Sequence, residues 1–385
     1  MLSRRSAAVT ANRWRLGEVL GRAGDTDWSR ALPGAGLGYA VGAGAVLAAA
    51  TALWGPRPGM IVAAGAVNAG TVGTTPGLAR PRAAMGVSLA ALAAAAFLGM
   101  VTARRPALSV VTLVLLGAVA GLLARTGQAA STTGTQAMVG FVILGRSPQP
   151  PDTAGVLAAG IVAGGLAQIL PGLVLRGATP GSAVPHRASA VRPGPAPDVG
   201  CPPVGEAVRS TGRALVSTDP QARWHAVRLA LGLALAQAAA VWLLPAQRGY
   251  WITLTVLNVL KPAWVTTASR GVDRWVGTLI GVLVVGGVAD AVGLRGVALV
   301  AAVTALLWGA FALQPVNYAL FCACIAGYVV LFLQVMAAPP GDSAVYRAVD
   351  TTLGGLLALF LHAWVRRPGS RPSSDRPGPG ATRNG

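Results

Sequence analysis

The side chains best suited to bind an anion lie close together in the second half of the chain. Lys261, Arg270 and Arg274 fall within one short stretch of an otherwise apolar sequence. In a medium of low dielectric constant their field attracts a small organic anion, so we expect them to bind substrate, with Arg80 contributing from the first half. Two other interpretations stay open: an ion pair between Arg270 and Asp273, three residues apart, and orientation of the helices by flanking positive charge.

Three neutral side chains add hydrogen-bonding and stacking capacity. Asn68 and Asn258 lie in the first and second halves of the chain, and two such amides can hydrogen-bond either a carboxylate or each other across a helix interface. Trp251 can stack on an aromatic substrate, although tryptophan also collects at membrane surfaces as an anchor. We therefore expect all three side chains to contribute to substrate binding.

Carboxylates are distributed unequally between the two halves. Residues 29–150 contain no Asp or Glu, whereas Asp273, Asp290 and Asp350 lie at or near membrane depth in the second half. Asp350 and Asp290 are the candidates for binding and releasing a coupled proton, because burial favours the neutral form of a carboxyl group. Asp350 also lies three residues after Arg347, a spacing that allows a structural ion pair on one helix face.

Nothing in the sequence has the spacing of a metal or catalytic site. Three cysteines and three histidines are scattered, and no phosphate-binding loop or nucleophile constellation occurs. We expect no enzyme activity, no cofactor and no metal. We also expect His225 and His362 to lie at the cytoplasmic surface.

Composition decides the class of protein. The 385 residues are 54% hydrophobic and 11% charged, and the mean hydropathy is +0.59. Such a chain cannot surround a single water-soluble core. Apolar stretches near the roughly 20 residues that a membrane crossing needs recur along it, so the sequence predicts an integral membrane protein surrounded by membrane lipids.

Identical residues recur at one constant offset along the chain, which indicates a duplicated unit. The offset that takes Gly59 to Gly249 also relates Asn68 to Asn258, Arg80 to Arg270, and Leu89 to Leu279. We call it the repeat offset.

We predict an all-α membrane protein with about twelve transmembrane helices in two six-helix repeats, at 31–176 and 224–366. The segments 59–72 and 250–260 are shorter than a full crossing. An even number of crossings per copy makes the repeats parallel.

Arginines concentrate at the ends of the chain and between the repeats. The net charge of +19 is therefore explained by membrane orientation, with no role for nucleic acid. We predict a basic cytoplasmic N-terminal segment at 1–30, a flexible cytoplasmic linker at 177–223 and a disordered cytoplasmic tail at 367–385. Both termini then lie on the cytoplasmic side of the cell membrane.

The second half also carries a recognisable order of motifs. Along the chain come Gly249-Tyr250-Trp251, Lys261-Pro262, Arg270, Arg274, and Gly277-Thr278 with Gly281. This order resembles the core motif of the fusaric acid resistance family, which includes aromatic acid exporters. The resemblance covers residues 224–364 directly and the first half only through the repeat. Lys261 departs from it, since a glutamine is more usual before that proline.

The resemblance implies an inner-membrane exporter of small organic acid anions, aromatic ones above all. Export would be driven by a gradient, because no ATPase part is present in the sequence. The alternative is a non-transporting membrane scaffold or an accessory to envelope assembly, whose basic segments bind acidic lipids or an envelope partner protein. A homo-oligomer is compatible with either function.

Overall fold

A computed structural model describes most of the chain. The ranges are 17–78, 80–145, 147–178, 219–243, 249–335 and 340–365, without the side chains of 170–178, 290, 332–335 and 340–345. The predicted C-terminal tail lies wholly outside the described residues, the predicted linker almost wholly, and the predicted N-terminal segment in part. The side chain of Asp290 also lies outside them.

Within these residues the chain forms helices and no β-strand, which confirms the all-α class. Twelve α-helices of ten residues or more occur in the described ranges. They are α1 (Pro33–Trp54), α2 (Pro56–Gly73), α3 (Pro81–Thr102), α4 (Pro106–Leu123), α5 (Gln128–Val139), α6 (Pro151–Ala178), α7 (Pro220–Ala238), α8 (Tyr250–Val259), α9 (Trp264–Val292), α10 (Gly296–Leu313), α11 (Tyr318–Val335) and α12 (Pro340–Trp364). Five-residue π-helical turns, Gly140–Leu144 and Ala239–Leu243, continue α5 and α7.

Proline sets where several helices begin. Helices α1 to α4 and α7 carry proline in the first two positions, where its missing N–H has no partner to lose and its fixed φ suits the helix. We expected the second helix to begin near Gly59, but it begins at Pro56, because Pro56 and Pro58 both fall in a first turn that tolerates them. Helix α2 therefore has 18 residues, whereas α8 has only ten.

Seven of these helices are long and apolar enough to cross a membrane, namely α1, α3, α4, α6, α7, α9 and α10. Helix α8 and the described part of α11 are apolar but shorter. Large aliphatic side chains are exposed on several of the spans, among them Leu53, Leu115 and Leu283. Lipid rather than water must surround such surfaces, so the chain is a multi-pass membrane protein.

The helices of each half pack in a similar order. In the first half α2 lies against α1 and α6, while α3 lies against α5 and α6. In the second half α8 lies against α7 and α12, while α9 lies against α11 and α12. Two helix pairs make most of the contact between the halves, α4 with α7 and α1 with α10.

Glycines allow the closest approaches between helices. A Cβ atom at Gly164 of α6 would collide with the Val62 carbonyl oxygen of α2, and one at Gly354 of α12 would lie 2.8 Å from the Ile252 carbonyl oxygen of α8. The repeat offset relates both the two glycines and the two carbonyl groups. Small residues at such contacts bring helix backbones together in a membrane, and here they do so at matching places in the two halves.

The neighbouring glycines Gly354 and Gly355 give a matched test of this packing. We expect Gly354→Ala to lower the stability of the protein by about 1 to 3 kcal/mol, the usual cost of overpacking, because the added methyl group also lies 2.6 Å from Cβ of Thr255. Gly355→Ala meets nothing within 4 Å and should be neutral or slightly stabilising. Thermal unfolding of the purified protein in detergent measures both variants, and equal melting temperatures would contradict the packing.

Candidate functional site

Two of the predicted cations lie on the side of α9 that faces α11. Arg270 and Arg274 are one helical turn apart. The guanidinium of Arg270 lies over the Tyr318 ring, 4.6 Å from its centroid, and Arg274 lies beside Tyr318 and Cys322. Among the described residues Arg270 forms no ion pair with Asp273. Arg270 therefore packs on an aromatic ring, while the Asp273 carboxylate interacts with its charge without forming a salt bridge.

Lys261 lies in the short loop between α8 and α9. The hydroxyl oxygen of Thr267 fixes this loop: it accepts a hydrogen bond from the Lys261 N–H at 3.0 Å and lies 3.0 Å from the carbonyl oxygens of Lys261 and Ala263. Burial, reinforced by the charges of Arg270 and Arg274, lowers the pKa of Lys261 to about 7. The loop thus holds an ammonium group where its charge is poorly solvated.

Sequence reasoning missed a second group of basic side chains next to this loop. Arg228 of α7 is buried, and its Nη1 lies 3.1 Å from the imidazole nitrogens of His362 on α12. The same ring lies 5.4 Å from the Trp264 ring at the start of α9. His225 is 2% exposed, so the expectation that it lies at the surface is wrong. The closely spaced basic residues at the start of α7 were the available signal.

Helix α12 contributes Arg347 and Asp350, both buried. The guanidinium of Arg347 lies 4.3 Å from the centroid of the Trp251 ring and donates to the Ala326 carbonyl oxygen at 3.1 Å. Trp251, which we expected to stack on a substrate, therefore holds a cation in this conformation. The Trp251 ring is partly buried and packs against the hydrophobic core.

The remaining predicted site residues do not join this group directly. Asn258 donates a hydrogen bond to the Leu254 carbonyl oxygen of its own helix at 2.8 Å. Asn68 is buried, and its amide has no hydrogen-bond partner among the described residues. The two amides therefore do not bond to each other. Arg80 is exposed at the start of α3.

Cations outnumber carboxylates in this region. Five cations, Arg228, Lys261, Arg270, Arg274 and Arg347, are buried or partly buried, and none forms a salt bridge with a carboxylate in the part of the chain that the structure describes. Two carboxylates, Asp273 and Asp350, are buried on the same helices, and the charge of Asp273 interacts with that of Arg270. Salt bridges lie instead at the periphery of the bundle, where Arg22 pairs with Glu18, Arg30 with Asp27, and Arg125 with Asp219. Uncompensated buried charge is costly, so the arrangement favours an anionic ligand. We call these five residues the cation cluster.

A small cavity of about 40 Å³ lies beside the cation cluster. Its walls come from both halves of the chain: Ala120, Ala124, Ser131 and Thr135 from the first, and His225, Leu229, Leu257, Leu260, Lys261 and Pro262 from the second. A larger recess of about 440 Å³ between α3 and α6 is lined only by apolar side chains and gives an anion no group to bind.

Fold and site together define a multi-pass membrane protein with a basic site in its second half, next to a cavity that both halves line. Residues 233–361 match a family model described as fusaric acid resistance protein-like. The match includes Lys261, Arg270, Arg274 and Arg347 and confirms the resemblance for this part of the second half. It indicates a membrane transport protein of the exporter type. No curated protein and no solved structure matches the chain.

The lowered pKa of Lys261 predicts a pH dependence of stability. The unfolded chain holds this proton up to about pH 10.4, whereas the folded protein releases it near pH 7. The unfolded state binds more protons in that interval, so stability should rise with pH from about 7 to 10. Below pH 7 both states are protonated and the cost of the buried charge is fully present.

The variant Lys261→Met isolates this contribution because it keeps the length of the side chain and removes the charge. Melting temperatures in detergent from pH 6 to 9.5 should rise more steeply for the unaltered protein than for Lys261→Met. Parallel curves would show that the lysine titrates at its ordinary value in the folded protein.

Proposed function

We propose that the protein exports small organic acid anions, aromatic ones among them, across the cytoplasmic membrane and that an ion gradient drives the export. The observation that carries this proposal is the cation cluster, which lies in the second half of a multi-pass membrane protein beside a cavity lined by both halves and forms no salt bridge with a carboxylate among the described residues. The family match at residues 233–361 supports it independently.

The membrane part consists, in this proposal, of two parallel six-helix repeats with twelve crossings. Helix bounds support the repeat: shifting α4 by the repeat offset gives the bounds of α10, and shifting the start of α5 gives the start of α11. The C-terminal ends of α4 and α10 also form equivalent hydrogen bonds. The Ala124 N–H donates to the Ala120 carbonyl oxygen, and the Gln314 N–H donates to the Ala310 carbonyl oxygen. The two helix pairs that join the halves are also exchanged by this shift, as a two-fold axis requires.

Recognition of an aromatic acid needs a cation for the carboxylate and a flat surface for the ring. The Arg270 and Tyr318 pair and the Arg347 and Trp251 pair each supply both groups. Without substrate, each guanidinium rests on its aromatic ring. On binding, a substrate ring would take over the stacking contact and its carboxylate would pair with the arginine.

Asn68 and Asn258 are assigned to the substrate route as neutral hydrogen-bonding groups, with Arg80 and Lys261 adding positive charge toward the cytoplasm.

Asp350 is the first candidate for proton coupling, since it is buried beside the cation cluster on α12, and Asp290 is the second. Protonation of such a carboxyl group would strengthen the net positive field that holds the anion.

Arg274→Gln tests the cation cluster, and Arg295→Gln, at an exposed helix start, is its matched control. Cells that lack their own exporters and express the protein are loaded with benzoate, and efflux is followed with and without a proton uncoupler. We expect Arg274→Gln to reduce efflux at least tenfold, about 1.4 kcal/mol of lost anion stabilisation, with Arg295→Gln unchanged. Equal efflux by both variants at equal membrane levels, or efflux no faster than in empty cells, would refute export.

Reporter insertions test the orientation. Green fluorescent protein placed in the 177–223 segment should fluoresce, because that segment is assigned to the cytoplasm. Alkaline phosphatase placed at residues 103–105, between α3 and α4, should be active, because this loop is assigned to the outside. The opposite pair of activities would invert the topology and with it the direction of transport.

A further inference from the structure

The small cavity between the halves is surrounded by hydrogen-bond donors that have no partner. Nδ1 of His225 is buried without a hydrogen bond among the described residues. Neither the Ser131 hydroxyl nor the Lys261 ammonium group has a hydrogen bond or ion pair there. Thr135 is occupied, since its hydroxyl donates to the Ser131 carbonyl oxygen at 3.0 Å. His225 is buried and Ser131 and Lys261 are partly buried, and leaving such donors and a cation unpaired is costly.

The repeat offset relates this cavity to a place where the ends of α2 and α10 meet, and that place shows that the repeated scaffold does not require unpaired donors. The residue equivalent to Lys261 is Thr71, whose hydroxyl donates to the Val67 carbonyl oxygen at 2.9 Å. The residue equivalent to Ala124 is Gln314, whose amide oxygen accepts from the Thr74 hydroxyl at 2.6 Å. Polar groups there satisfy one another.

Packing at the equivalent place is also tighter than around the cavity. At the position equivalent to Gly121 of α4, helix α10 has Phe311, which is completely buried and whose ring fills the space beside Gly70. Tyr39 packs edge-on against that ring at 6.3 Å. Aromatic side chains thus fill the interface of α10 with α1 and α2. The equivalent interface of α4 with α7 and α8 keeps a cavity whose donors have no partner among the described residues.

The size of the cavity limits what can occupy it. At about 40 Å³ it exceeds the roughly 10 to 15 Å³ that one water needs and is far below the roughly 150 Å³ of a cavity that holds benzene. An aromatic acid does not fit. We propose that the cavity binds a small inorganic anion of the size of chloride, held by the Lys261 ammonium group with the Ser131 hydroxyl and the His225 imidazole as further donors.

This site does not depend on the proposed export. The anion would neutralise the ammonium group and join α5 to α7 and to the loop between α8 and α9, because its ligands come from both halves. Halide binding therefore remains testable in a protein that transports nothing, and a failure of one proposal is distinguishable from a failure of the other.

Thermal unfolding of the purified full chain in detergent provides the test. Sodium bromide is titrated against sodium gluconate at constant ionic strength, since gluconate is too large for the cavity. A ligand that binds only the folded state raises the melting temperature with concentration as its site fills. We expect a bromide-dependent rise that Lys261→Met abolishes and Ser131→Ala reduces, with Thr71→Val, the equivalent position of the first half, retaining it.

Each other outcome overturns the proposal. An absent bromide effect, or one that is equal in Lys261→Met and the unaltered protein, would show that no specific site exists. A bromide effect that benzoate reproduces in the unaltered protein but not in Lys261→Met would assign the cavity to the carboxylate of an organic acid. Bromide located by anomalous diffraction away from Lys261 would place the anion elsewhere.

Discussion

Positive charge inside the bundle is the constraint to which the second half is adapted. A cation within or beside hydrocarbon costs several kcal/mol unless something compensates it, and no cation of the cluster forms a salt bridge among the described residues. Aromatic rings compensate in part, with Arg270 over Tyr318 and Arg347 over Trp251. Arg228 contacts the imidazole of His362. Lys261 lies beside the small cavity, and its ammonium group has neither an aromatic ring nor a salt bridge among the described residues to offset its charge.

The backbone arrangement recurs in the two halves, and the chemistry does not. Close contacts recur at equivalent places, as Gly164 with Val62 and Gly354 with Ile252 show. Backbone contacts of this kind depend on small residues and tolerate any polar side chain elsewhere on the helix. Charged side chains can therefore differ between the halves without disturbing these contacts, and the cation cluster lies in the second half alone.

Sequence alone could predict the features that depend on composition and on local order. Apolar content predicts a membrane protein, and the repeat offset anticipates the helix bounds shared by α4 and α10. Side-chain partners were less accessible, because they depend on which helices meet. Asn258 bonds within its own helix, and His225 points inward from a segment whose neighbours are basic. Residue type alone predicts neither the hydrogen bond of Asn258 nor the burial of His225, because asparagine and histidine also occur at membrane surfaces.

If an anion binds here as proposed, it completes this electrostatic arrangement, and ligand binding and stability then draw on the same free energy. Without an anion, repulsion among Lys261, Arg270 and Arg274 adds to burial in lowering the pKa of the lysine and stores unfavourable energy in the folded state. A bound anion relieves that repulsion and is held more tightly for it. A transport site needs the converse as well: the anion must leave when the helices around it rearrange. Two halves joined mainly through two helix pairs would allow such a rearrangement, because each half can keep its internal packing while the cavity that both halves line opens or closes.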